Sequence, residues 1–185
     1  LLKIHGALVP EHVVEVLHYD ASYSALLLED LSQLQLLRTG LIGAKQYPLL
    51  ADHVSTYLAR CSFYTSDFAM DSPFKKARTT QFMNSQLCLM SEELFFTDPY
   101  CNHDRNQFDM ALRPLVQQLW FDEALKAEVA ELKAKFESST QALLHGDLQI
   151  GSIFVDTEQT KVIDGEYAFY GPIGFDLGNF LGSLL

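Results

Sequence analysis

Near the start of the chain two apolar runs, "VVEVLHYD" and "SYSALLL" within Pro10–Leu28, meet at "DAS". β-rich runs around a short turn-forming spacer predict an antiparallel pair of strands. "LEDLSQL" follows, with acids and a serine where a strand hands over to a helix. Between Pro48 and Arg60 the apolar period lengthens, and Leu50, Val54, Tyr57 and Leu58 recur at helical spacing. Pro73–Phe82 and Glu92–Phe96 read as further helical pieces, and "FFTDPYCNHDRNQFD" as a loop broken at Asp98-Pro99. The clearest helix runs from Asp122 to Glu137. There Leu125, Val129, Leu132 and Phe136 form one stripe while Lys and Glu fill the other faces, and Asp122 suits the N-cap. Trp120, after an apolar stripe, reads as a packing anchor for a helix.

After Gln141 the rhythm shortens again. Ala142–Leu144, Ile153–Val155 and Val162–Ile163 are short β-type runs, and Asp156–Thr160 makes a tight connection between the last two. "GEYAFYGPIGFDLGNFLGSLL" is a glycine-punctuated loop leading into an apolar helix. No internal repeat, low-complexity tract or inter-domain linker interrupts the series. The expected class is α+β.

Composition narrows the function. With 48% hydrophobic residues the chain can bury a proper core, and 185 residues fit one large domain or parts of two. A net charge of −11, with 13 basic residues among 24 acids, disfavours nucleic acid as a partner. No apolar run approaches the roughly 18 residues of a membrane span. Cys61, Cys88 and Cys101 are odd in number and lack metal-type spacing, which fits reduced thiols and a cytoplasmic location. The chain opens inside "LLKIHGALVP" and stops inside "FLGSLL", so it is expected to be part of a longer protein.

The chemistry concentrates in "LLHGDLQIGSIFVD", residues 143–156, and in the stretch after it. Asp147 precedes the first strand of the expected hairpin, and Asp164 and Glu166 follow the second, with Asp164 17 positions after Asp147. A hairpin that starts and finishes at one end returns these acids to one rim. That pattern fits phosphoryl transfer: one carboxylate orients the attacking hydroxyl, and others hold the Mg²⁺ that neutralises nucleotide phosphates. Set against the kinase catalytic loop H-R-D-x-x-x-x-N, His145 and Asp147 are in register, Ser152 takes the Asn position, and Asp164 stands where the D-F-G aspartate would. The plainer reading is surface acids at hairpin ends. His145 reads as a structural hydrogen-bonding residue. His103-Asp104 in "CNHD" resembles a metallophosphoesterase element, but its Gly-Asp-x-x-His partner is absent upstream, and a solvated loop is the expectation there.

"HGDLQIGSIFV" and "KVIDGEYAFYGPIGFDLGNFL" closely resemble the methylthioribose kinase family, in the aminoglycoside-phosphotransferase-like branch of the kinase fold. That family carries H-G-D-L-x-x-G-S, a D-x-E motif in place of D-F-G, and a "FAFYGPxGFDxG" continuation. "LEDLSQL", "GLIGAKQYPLL" and "LFFTDPYCNHDRNQF" extend the likeness over nearly the whole chain. The sequence departs from the family at Gln149, where a His is usual, and at Gly165, where a Pro is usual.

The resemblance implies a protein-kinase-like fold. Residues 1–28 would end the N-terminal lobe, 29–33 form the hinge, and 34–185 belong to a mostly helical C-terminal lobe carrying the catalytic β-hairpin. It implies Asp147 as the catalytic base, Asp164 and Glu166 as Mg²⁺ ligands, and Ser152 in the metal and phosphate shell. Glu29, Asp30 and Leu31 would meet the adenine of ATP, mainly through backbone groups. Asp176 would support the catalytic loop alongside His145. The implied reaction is ATP-dependent phosphorylation of 5-methylthioribose on its anomeric hydroxyl in methionine salvage, with ATP and Mg²⁺ as cofactors and a homodimer as the assembly. Two alternatives stand beside it. One is a kinase of the same branch acting on an aminoglycoside, choline or homoserine. The other is a non-catalytic nucleotide-binding relative, against which the presence of all three acids weighs. The glycine-rich loop, its strand lysine and the downstream substrate-binding residues would lie outside the chain, and the chain alone is predicted to show no turnover.

Overall fold

The computed structural model describes all 185 residues, in two compact units: residues 1–82 with 140–185, and residues 83–139. The first unit opens with α1 (Leu2–Leu8), followed by the hairpin β1 (Val16–Asp20) and β2 (Ala25–Leu28). The hairpin is antiparallel, as its pattern predicted, with a register shift between Val16 and His18. Asp20 Oδ1 closes the turn by accepting the N–H groups of Ser22 and Tyr23. The "LEDLSQL" stretch then hands over to the two-residue strand β3 (Gln35–Leu36), which runs directly into α2 (Leu37–Ile42).

α3 (Leu50–Tyr64) is the expected amphipathic helix, and it buries Val54, Tyr57 and Cys61. Its end is joined to the later strands by Thr65, whose hydroxyl donates to the Cys61 carbonyl at 2.7 Å and accepts the Leu143 N–H at 2.9 Å. α4 (Ser72–Gln81) follows, with Pro73 in its first turn, where a missing N–H costs nothing.

In the second unit α5 (Ser85–Phe96) begins seven residues earlier than Glu92, the start that the sequence pattern suggested. The expected loop holds one single turn, Asp98–Tyr100, and is pinned by the buried Asp98, whose carboxylate meets Arg105 Nε at 2.8 Å; a second turn, Met110–Leu112, follows directly after it. α6 (Arg113–Phe121) was not foreseen, and its Pro114 lies in the first turn. Trp120 packs edge-to-face on Phe108, with ring centroids 6.1 Å apart. α7 (Glu123–Ser138) starts where expected, with Asp122 Oδ1 accepting the Leu125 N–H at 2.9 Å. Val129 and Phe136 are buried but Leu132 is 53% exposed, so only part of the predicted stripe packs.

The chain then returns to the first unit with β4 (Ala142–Leu144), β5 (Ile153–Val155), β6 (Thr160–Val162), β7 (Phe169–Gly171) and α8 (Gly174–Ser183). β5 and β6 form the expected hairpin, with Ile153 opposite Val162, and β3 adds antiparallel to β5. β4 pairs with β7, a strand concealed in the glycine-rich stretch. The main core gathers Val9, Val13, Leu37, Val54, Tyr57, Leu148, Ile153, Val155, Val162 and Phe180, so the segments flanking Asp147 are buried on both sides. Cys61 is buried in this core, Cys88 is partly covered and Cys101 is exposed; all three are free thiols. No helix is long and apolar enough to cross a membrane.

Candidate active site

The loop between β4 and β5 is held from beneath. Asp176, buried in the first turn of α8, accepts the His145 N–H on Oδ2 at 2.7 Å and the Gly146 N–H on Oδ1 at 2.9 Å. Burial lifts its carboxyl above the ordinary carboxylate range, against the pull of the His145 ring and these two amides. His145 is fully buried. Its Nε2 faces the Ile163 carbonyl at 2.7 Å and its Nδ1 faces the Asp147 N–H at 3.3 Å. These two contacts make the ring a bridge from the Asp147 loop to the strand end that carries Asp164. Gly146 adopts φ +83°, and a Cβ there would lie 2.1 Å from the Tyr167 carbonyl oxygen. Only glycine fits.

The remaining contacts lie within the loop or reach α8. Ser152, buried, donates its hydroxyl hydrogen to the Asp147 carbonyl at 2.8 Å, and Gln149 Oε1 accepts the Gly151 N–H at 2.8 Å. Ile150 N–H reaches Ser183 Oγ at 3.2 Å. Asp147 itself is half-buried, and its Oδ1 accepts from Asn179 Nδ2 at 3.4 Å. Asn179 carried no signal in the sequence beyond its place in the "GFDLGNF" motif, three residues after Asp176.

Asp164 and Glu166 lie in the exposed connection after β6. Asp164 sits at φ +60°, a left-handed conformation uncommon outside glycine, asparagine and aspartate. Strain of this kind persists where the surrounding structure enforces it, and it clusters at functional sites. Burial first, then the carboxylates of Glu166, Asp147 and Asp164, raise the half-buried Tyr167 phenol above its ordinary value.

A cavity of about 920 Å³ opens beside them. Val14, Val16, Leu28, Leu31, Phe154 and Ile163 form apolar walls, and Glu29, Asp164 and Glu166 also line it. Asp30 does not. Its carboxylate turns onto Ser32, accepting from the N–H at 2.9 Å and the hydroxyl at 3.0 Å, which holds its pKa below the usual value. The Glu29 N–H is committed to the Glu15 carbonyl at 3.0 Å. No three His, Cys, Asp or Glu side chains form a ready metal cage. Asp164 and Glu166 supply hard oxygen donors as a pair, and that suits Mg²⁺, which keeps waters and completes its shell with substrate phosphates.

An apolar cavity of nucleotide size, paired acids in its lining and a third acid on a braced neighbouring loop are the parts that phosphoryl transfer requires. The chain belongs to the APH phosphotransferase enzyme family, whose model matches residues 5–184. It is similar to the methylthioribose kinase of Geobacillus kaustophilus (strain HTA426), 50% identical over 184 residues. The corresponding enzyme of Yersinia enterocolitica serotype O:8 is also 50% identical over 184 residues, and that of Pectobacterium atrosepticum 49%. Each alignment takes in 100% of this chain but 46% of the relative, so the chain spans about half the length of the curated relatives it matches.

Proposed function

We propose that the whole protein transfers the γ-phosphoryl group of ATP to a hydroxyl of 5-methylthioribose. The observation that carries this reading is the shared placement of Asp164 and Glu166 in the wall of an apolar cavity that also includes Leu28, Glu29 and Leu31. The similarity to enzymes named methylthioribose kinase supports the choice of substrate. On this reading residues 1–28 end an N-terminal lobe, 29–33 form the hinge, and 34–185 belong to the catalytic lobe.

Leu28 and Leu31 offer the adenine ring an apolar slot. With the Glu29 N–H already bonded to Glu15, recognition falls to the Glu29 carbonyl and the main chain of Leu31. Asp30 shapes the hinge by capping Ser32 and does not meet the base. Asp164 and Glu166 would hold Mg²⁺, which would supply the positive charge that offsets the nucleotide phosphates. Asp147 receives the sugar hydroxyl, orients it in line with the γ-phosphorus and takes its proton. Ser152 is assigned to bracing the Asp147 loop, because its hydroxyl hydrogen is committed to the Asp147 carbonyl.

The test is ADP release by the full-length protein with ATP and Mg²⁺ against methylthioribose, an aminoglycoside, choline and homoserine. ADP release with methylthioribose alone is the expected outcome. Release with another acceptor would move the substrate within the family, and release with none would favour a non-catalytic nucleotide-binding relative.

A further inference from the structure

We propose that Lys161 is a positioning residue that locks the hinge onto the catalytic hairpin, so that ATP affinity depends on its ion pair with Glu29. The inference rests on the kinase reading above and assigns Glu29 a task different from contacting adenine through its side chain.

Lys161 is the middle residue of β6, and its side chain is only 13% exposed. An ammonium so far removed from water is stable only where its donors are matched. Here three N–H donors meet three oxygens: Glu29 Oε1 at 3.0 Å, the Pro10 carbonyl at 3.1 Å and the Val13 carbonyl at 3.3 Å. Glu29 Oε1 also accepts the Glu15 N–H at 2.9 Å, while the Glu29 N–H donates to the Glu15 carbonyl. Main-chain bonds from Val14 to Val162 and from Val162 to His12 run alongside.

One side chain thus fastens three stretches: the α1–β1 connection, the hinge and the hairpin. The neighbours of Lys161 in β6, Thr160 and Val162, are buried, so the strand itself cannot shift freely. Asp164 follows two residues after the end of that strand. The hinge wall of the cavity and the acids in its lining are therefore held in register through β6. Removing the pair frees the hinge against the acids and loosens the nucleotide site, while the sugar hydroxyl and Asp147 keep their own supports.

The experiment compares Lys161→Met, Glu29→Gln and Lys161→Arg with wild type in the full-length protein. ATP binding is read by calorimetry, and KM for each substrate and kcat by ADP release. Lys161→Met and Glu29→Gln are each expected to weaken ATP binding and raise its KM about tenfold, the scale of one charge-assisted hydrogen bond. KM for the sugar and kcat at saturating ATP stay unchanged in Lys161→Met, and Lys161→Arg, which keeps the charge and the donors, stays near wild type. Glu29→Gln carries the test should Lys161→Met fail to fold, since it leaves both carbonyl partners in place. Unchanged ATP affinity in Glu29→Gln, or a parallel fall in every parameter including those of Lys161→Arg, would overturn the proposal. A wild-type protein that binds no ATP would remove the kinase reading itself, and the lock with it.

Discussion

Asp176 lies buried under the loop that carries Asp147 and accepts the main-chain N–H of His145 at 2.7 Å. With the Gly146 N–H on its other oxygen, one carboxylate holds two consecutive amides that would otherwise be orphaned in the core. Asp176→Ala is expected to cost about 1–3 kcal/mol for each amide left without a partner. It should also abolish turnover by releasing the Asp147 loop. Thermal unfolding and ADP release on the same preparation check both.

Gly146 permits no side chain. Gly146→Ala is expected to lose activity and stability together, because its Cβ would meet the Tyr167 carbonyl oxygen at 2.1 Å and its φ of +83° is disfavoured for alanine. Gly174→Ala is the control: no atom lies within 4 Å of its added Cβ, so melting temperature and rate should be retained.

His5 makes stability depend on pH. It is buried with Nδ1 on the Tyr57 hydroxyl at 2.9 Å, and burial, followed by the nearby His145, pushes its pKa down to about 3. The unfolded chain titrates this group near pH 6.5, so between the two values the unfolded state carries the extra proton. This contribution to stability is complete above about pH 6.5 and falls by about 1.4 kcal/mol per unit as the pH drops towards about 3. Denaturant unfolding at about pH 7 and about pH 5 should therefore differ by about 2 kcal/mol more in wild type than in His5→Leu.

The elements that the sequence disclosed are those whose signal is local. α3 shows itself through Leu50, Val54 and Tyr57 on one face, α7 through its Asp122 cap, and the β5–β6 hairpin through two apolar runs around a polar turn. The acids Asp147, Asp164 and Glu166 stood out because they flank that hairpin. What stayed hidden depends on partners far along the chain. α1 is fixed by His5, a polar residue whose partner Tyr57 is 52 residues away. β7 is three residues in a glycine-rich stretch and exists because β4 pairs with it. Pro114 resembles a breaker, yet in a first helical turn proline starts a helix. The Asn179 contact to Asp147 crosses 32 residues, and the engagement of Glu29 by Lys161 joins a hinge to a strand that no local pattern links.

In the proposed mechanism Asp147 handles the sugar hydroxyl while Asp164 and Glu166 serve the nucleotide through Mg²⁺. The most direct test of this division is Asp147→Asn in the full-length protein, with single-turnover phosphorylation of methylthioribose and ATP binding measured side by side. The expected result is a rate lowered about 10²–10⁴-fold, the scale of a lost general base, with ATP affinity retained. A phosphorylation rate equal to wild type would contradict it.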